Sequence, residues 1–93
     1  MNGGEISGNT ASNGGGVCVA ASSSIFRMVT GTIYGSNEAE GIRNTASSSG
    51  AALYESSGIA QRGTFSDDEW VGSGDLVTTD NTIRVEEGEL VSE

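Results

Sequence analysis

The run Asn9-Thr10-Ala11-Ser12 returns as Asn44-Thr45-Ala46-Ser47, and each copy leads through Gly and Ser into a small apolar stretch. The first continues as Gly14-Gly15-Gly16-Val17-Cys18-Val19, the second as Ser48-Ser49-Gly50-Ala51-Ala52-Leu53. A unit that recurs at this spacing cannot bury an apolar face alone, so it folds by stacking on its neighbour. Composition by itself points to disorder: Leu, Ile, Val and Phe supply 18 of 93 residues and the net charge is -9, too little apolar surface to offset chain entropy. The 15 Gly and 14 Ser residues add to that impression. Small residues at regular intervals are, however, what a wound β architecture needs at its corners and in its narrow interior. The repeat therefore outranks the composition.

Along the chain, Ile6 reads as the inward residue of a short strand, with residues 9 to 16 as the corner after it. Val17 and Val19 alternate with Cys18, which turns the two valines in and the thiol out. Residues 22 to 24 bend the chain, and Phe26 and Met28 rejoin the interior at the same two-residue spacing. Gly31-Thr32-Ile33 then begins the next unit as Gly4-Glu5-Ile6 began the first, 27 residues earlier. In the second unit, residues 36 to 43, with Glu38 and Glu40, read as a loop insertion. Ala51 and Leu53 align with Val17 and Val19 after one deletion, and Ile59 aligns with Ile25. A slip of one residue would instead turn Ala52 and Tyr54 inward. Gly63-Thr64-Phe65 closes this unit.

The reading is all-β: a right-handed parallel β-helix (β-solenoid) of about three coils in a single domain, 1–93, or a fragment of a longer solenoid. Coil 1 spans residues 1–30, coil 2 spans 31–66, and residues 67–93 form an acidic terminal coil or cap. That last stretch holds Asp67, Asp68, Glu69, Asp75, Asp80, Glu86, Glu87, Glu89 and Glu93 against Arg84, a balance of -8, leaving -1 on residues 1 to 66. Leu76 and Val77, then Ile83 and Val85, supply apolar pairs around the turn Thr79-Asp80-Asn81-Thr82. A charged rim suits the last layer because it discourages edge-to-edge aggregation. At the other end a row of unpaired backbone groups invites end-to-end self-association.

Residues 4 to 19 resemble the Gly-Gly-Thr-Ile-Ser-Gly-Asn-Thr-Ala repeat of bacterial surface-exposed right-handed parallel β-helix proteins, the pectin-lyase-like and adhesin-like superfamily. Gly31-Thr32-Ile33-Tyr34-Gly35, Asn44-Thr45-Ala46 and Thr79-Asp80-Asn81-Thr82-Ile83-Arg84-Val85 look like the C-terminal coils of such proteins, while residues 36 to 43 and Ala51-Ala52 depart from the repeat. The resemblance implies Asn9 and Asn44 stacked in a ladder at successive corners. It also implies an extracellular or cell-surface location and a glycan or a host or cell-surface protein as partner. The N-terminal segment is neither basic nor followed by an apolar run, so the sequence reads as a piece of a longer protein whose export signal lies elsewhere.

Candidate chemistry is sparse. Cys18 is the lone cysteine and histidine is absent, which leaves no internal disulfide and no Cys/His metal set. Asp67 and Glu69, if on one strand face about 7 Å apart, have a spacing not foreign to glycosidase carboxylates. Asp67, Asp68, Glu69 and Asp75 could offer oxygens to Ca²⁺, without a recognised calcium-loop motif. Gly14-Gly15-Gly16 lacks the Lys-Ser/Thr of a phosphate loop and reads as a corner. Thr30 and Thr32 have the spacing of an ice-binding pair, but Arg62 stands where the next coil would repeat it. Tyr34, Tyr54 and Trp70 could stack on a sugar, although a tryptophan at the position of Trp70 is more often a cap residue covering the open end of a solenoid. Thirteen acidic residues against four basic ones disfavour nucleic acid, and no apolar run is long enough for membrane insertion. The expectation is a non-catalytic structural or adhesive surface module of a larger secreted or surface bacterial protein, with no catalytic residue, cofactor or metal assigned. The alternatives are a carbohydrate-active or carbohydrate-binding fragment, a hydrolase or lyase using Asp67 and Glu69, and a calcium-stabilised binding module.

Overall fold

A computed structural model describes residues 1–92; Glu93, the ninth acid of the tail, lies outside the described residues. Eleven strands follow in order: β1 (Asn2–Ile6), β2 (Thr10–Asn13), β3 (Val17–Val19), β4 (Ile25–Met28), β5 (Thr30–Ile33), β6 (Thr45–Ser49), β7 (Leu53–Glu55), β8 (Ile59–Ser66), β9 (Glu69–Asp75), β10 (Ile83–Glu86) and β11 (Glu89–Ser92). They form four small sheets, ordered β1-β5-β10-β11, β2-β6, β3-β7 and β4-β8-β9.

The first four strands each pair in parallel with a strand of the following pass of the chain. Ile6 lies opposite Ile33, Thr10 opposite Thr45, Val17 opposite Leu53 and Ile25 opposite Ile59. The expected alignment of Ile59 with Ile25 is the observed register. Val17 meets Leu53 rather than Ala51, a shift of two residues that leaves the inward side of Leu53 unchanged because strand faces alternate with period two.

The third pass does not continue this pattern, and the structure corrects the fold expected from the sequence. β9 runs antiparallel to β8, and β10 runs antiparallel to both β5 and β11. Four separate sheets, two of them mixed, replace the right-handed parallel β-helix of three coils; this is no closed β-solenoid. The likeness to pectin-lyase-like and adhesin-like proteins loses its structural basis with it. The physical cause lies in two reversals. Asp67 and Asp68 have φ of 52° and 64°, and Glu87 and Gly88 have φ of 51° and 80°, the positive pairs of two-residue hairpin turns whose twist sends the chain straight back. Asn-Gly satisfies such a turn with less strain than Asp-Asp. Replacing Asp67→Asn together with Asp68→Gly should raise stability by about 1 kcal/mol, read as a melting temperature several degrees higher.

The core gathers side chains from all three passes. Val19, Met28, Ile33, Ala52, Leu53, Ala60, Leu76 and Val85 are buried, with Met1, Ile6, Val17 and Phe26 packed half-buried against them. The returning segment contributes Leu76 and Val85 and also closes the far edge of β7. Thr79 N–H donates to Leu53 C=O (2.8 Å) and Thr79 Oγ1 accepts from Leu53 N–H (3.1 Å). Thr78 Oγ1 makes the equivalent pair of bonds with the backbone of Glu55 (3.0 and 2.8 Å). Residues 36 to 43 form no strand; Glu38 within them pairs with Arg84 at 3.5 Å.

Candidate functional site

The pairing leaves one face of the molecule open. Each of β1 to β4 stands at the end of its sheet, with its partner in the second pass. In a strand paired on one side, alternate residues turn their backbone groups toward and away from the neighbour. Val17 N–H donates to Ala52 C=O and Val19 C=O accepts from Ser56 N–H, both at 3.0 Å. The backbone N–H and C=O of Cys18 between them therefore point out of the sheet, where no strand pairs among the described residues. Among the described residues the end of β4 is lapped by the chain's first residue: Val29 N–H donates to Met1 C=O at 2.7 Å, and the Met1 amine donates to Arg27 C=O. Ile6, Val17, Phe26 and Met1, half-buried against the core, lie within the first pass that carries these edges.

Behind this face, Asn44 ties the two passes together. It is fully buried. Its Oδ1 accepts from Asn9 N–H (2.9 Å) and Asn9 Nδ2 (3.2 Å), while its Nδ2 donates to Ile6 C=O and Tyr34 C=O, both at 2.8 Å. All four hydrogen-bonding positions of the amide are filled. The Asn9–Asn44 contact implied by the resemblance is thus present within an architecture that differs from the one implied.

The candidate residues scatter. Asp67 and Asp68 occupy the tip of the β8–β9 hairpin and Glu69 begins β9 opposite Ser66, so Asp67 and Glu69 are not two same-face residues of one strand. Asp75 ends β9, six residues beyond Glu69 and roughly 20 Å away by strand rise, too far to share an ion with the tip. Among the described residues no group of three or more His, Cys, Asp or Glu side chains is placed to hold a metal. Gly14, Gly15 and Gly16 donate their N–H groups to Ser49, Gly50 and Ala51 carbonyls (3.2, 3.2 and 2.9 Å), and so are spent on the corner. Thr30 and Thr32 lie opposite Asn2 and Glu5.

Trp70 does not cover the end of the core. It lies on the β8–β9 hairpin against Gly63, where a Cβ would come within 2.9 Å of its ring. Its Nε1–H donates to Gln61 Oε1 (3.3 Å), Phe65 meets it edge-on at 5.4 Å, and the Arg27 guanidinium stands 5.3 Å from its ring centre. Tyr34 O–H donates to Glu5 Oε1 (3.2 Å); desolvation, that bond and the nearby Glu5 and Glu38 charges push its phenol above the usual value. Tyr54 lies beside Cys18, whose thiol is free and exposed.

No protein-family model, no curated protein and no solved structure matches the chain. The open face was visible in the sequence only as a hazard of association. Its backbone groups have no side-chain signature, and which strands end a sheet depends on the whole pairing scheme.

Proposed function

We propose that this chain is a non-catalytic structural or adhesive module that works by accepting further β structure on the open edges of its first pass. The supporting observation is the combination of outward backbone groups, centred on Cys18, with the half-buried Ile6, Val17 and Phe26 in the same pass. An added strand would satisfy the backbone, and its side chains would extend the apolar core, the usual economy of strand addition. The partner is a strand-bearing protein surface or a second copy joined end to end. The carboxylates of Asp67 and Glu69, at a hairpin tip, contribute charge and solubility in this reading.

Cys18→Pro tests it. Proline removes an N–H that points away from the strand's partner among the described residues and is tolerated on edge strands; Cys18→Lys instead places a charge on the same edge. The parent should associate as its concentration rises in sedimentation, and both variants should keep the β circular dichroism spectrum and lose that association. A parent that sediments as a monomer, with a Cys18 amide as protected from hydrogen exchange as that of Val17, would remove the proposal.

A further inference from the structure

The outer face of the β4–β8–β9 sheet is a second surface, separate from the open edges. The register sets Ile25 beside Ile59, Arg27 beside Gln61 and Asp75, and Phe65 beside Trp70. Phe26, Met28 and Ala60 point the other way, into the core. On the outer face Ile25 is 57% exposed, Ile59 46% and Phe65 57%. Val77, 52% exposed, follows buried Leu76, whose N–H bonds Ala60 C=O at 2.8 Å, and so emerges beside Ile59. Aliphatic and aromatic side chains gathered on one sheet face mark an interaction surface more strongly than the same residues scattered singly.

A groove of about 240 Å³ opens on this face, lined by Glu55, Gly58, Ile59, Ala60, Asp75, Leu76 and Val77. Ile59 and Val77 give it apolar sides, and Glu55 and Asp75 give it two carboxylates. The cation on this face, Arg27, is stacked on Trp70; Arg62 pairs with Glu89, and Arg84 with Glu38 and Glu86. Among the described residues, neither Glu55 nor Asp75 has an ion-pair partner. The groove is smaller than the roughly 300 Å³ at which drug-sized pockets begin, and matches one long side chain.

We propose that this face docks a basic, partly apolar segment of a partner protein. A lysine or arginine stem lies between Ile59 and Val77, and its cation reaches Glu55 and Asp75. Long basic side chains combine an aliphatic stem with a charged head in this way, and the net charge of -9 draws a cationic partner in. A phosphate-bearing partner would meet the two carboxylates and be repelled.

The test is amide chemical-shift mapping of the whole chain titrated with a short peptide alternating valine and lysine. Shifts should cluster at Ile25, Glu55, Ile59, Asp75 and Val77, and a glutamate-for-lysine peptide should give none. Glu55→Gln with Asp75→Asn should weaken binding about tenfold, through the loss of two partly exposed ion pairs. Val77→Ser should weaken it by a similar factor, about tenfold, through lost apolar contact. Glu40→Gln with Asp80→Asn, which removes the same charge elsewhere, should change it less than about twofold once salt screens distant charges. Equal loss in both charge-altered proteins, shifts confined to other surfaces, or no binding would overturn the proposal. Shifts at this face that appear on concentration without peptide would overturn it too, by giving the surface to a second copy.

Discussion

Asn44→Ala should lower the unfolding free energy by roughly 3 to 5 kcal/mol, the largest loss expected from any single side-chain truncation in this protein. The asparagine is fully buried and its amide makes four hydrogen bonds, two from Asn9 and two to the carbonyls of Ile6 and Tyr34. Alanine leaves these groups facing a cavity that water reaches poorly, at about 1 to 3 kcal/mol for each buried group left unpaired. Ile6 C=O retains one partner, the Tyr34 N–H at 3.2 Å, which keeps the total below the simple sum. A domain of this length has a total stability of roughly 5 to 14 kcal/mol, so the substitution takes a large share of it. Asn44→Asp discriminates the cause. It preserves shape and can accept from Asn9, but as a carboxylate it cannot donate to the two carbonyls. Denaturant titration should find it destabilised as well; a stability equal to the parent's would mean that Asn44 acts by filling space.

Gly16→Ala is expected to come next, at about 3 kcal/mol or more, because overpacking against backbone cannot be relieved by a rotamer change. A Cβ at Gly16 would stand 2.6 Å from the Ala52 carbonyl oxygen and 2.5 Å from Ile33 Cγ2. The Ala52 oxygen accepts from Val17 N–H, so any retreat opens the β3–β7 pair. Gly72→Ala provides the comparison: its nearest neighbour, Trp70 Nε1, lies at 3.5 Å, an ordinary contact. Thermal melts of the two variants should differ by more than ten degrees, given about 4 to 8 °C per kcal/mol for a domain of this size. Similar melts would show that the corner yields more readily than its packing suggests.

Much of the first two passes was legible because a repeated motif carries its own register. Ile6 with Ile33, Thr10 with Thr45 and Ile25 with Ile59 follow from aligning the two copies. The third pass was not, because its direction is set by Asp67-Asp68, a pair without the Asn-Gly signature that announces such a turn. The same polar run would have suited a corner. The face of β4 was legible only in part. Phe26 and Met28, spaced on either side of Arg27, were legible as the inward pair and do face the core, whereas the exposure of apolar Ile25 on the opposite face is set by packing and not by its residue type. Asn44 and Asn9 are the same residue at the same place in the motif, yet one is buried and the other exposed. What separates them is position: Asn44 lies where the carbonyls of Ile6 and Tyr34 converge on its amide from both passes, whereas Asn9, which donates to Ser7 C=O and Asn44 Oδ1, lies exposed in the first pass.

The pairing of β1 to β4 with strands of the next pass has a consequence in time. Thr10 waits 35 residues for Thr45, and Val17 waits 36 for Leu53, whereas Phe65 and Trp70 are joined through a two-residue turn. Hairpins of the latter kind close in about 1 to 10 μs, while distant parallel pairs must first offset the entropy of a long loop. The C-terminal hairpins are therefore ready before the first pass has anything to join, and the slow step is the docking of the chain's opening residues onto a second pass already taking shape. During synthesis, about a third of the polypeptide must leave the ribosome before β1 can meet β5, and more than half before β3 can meet β7.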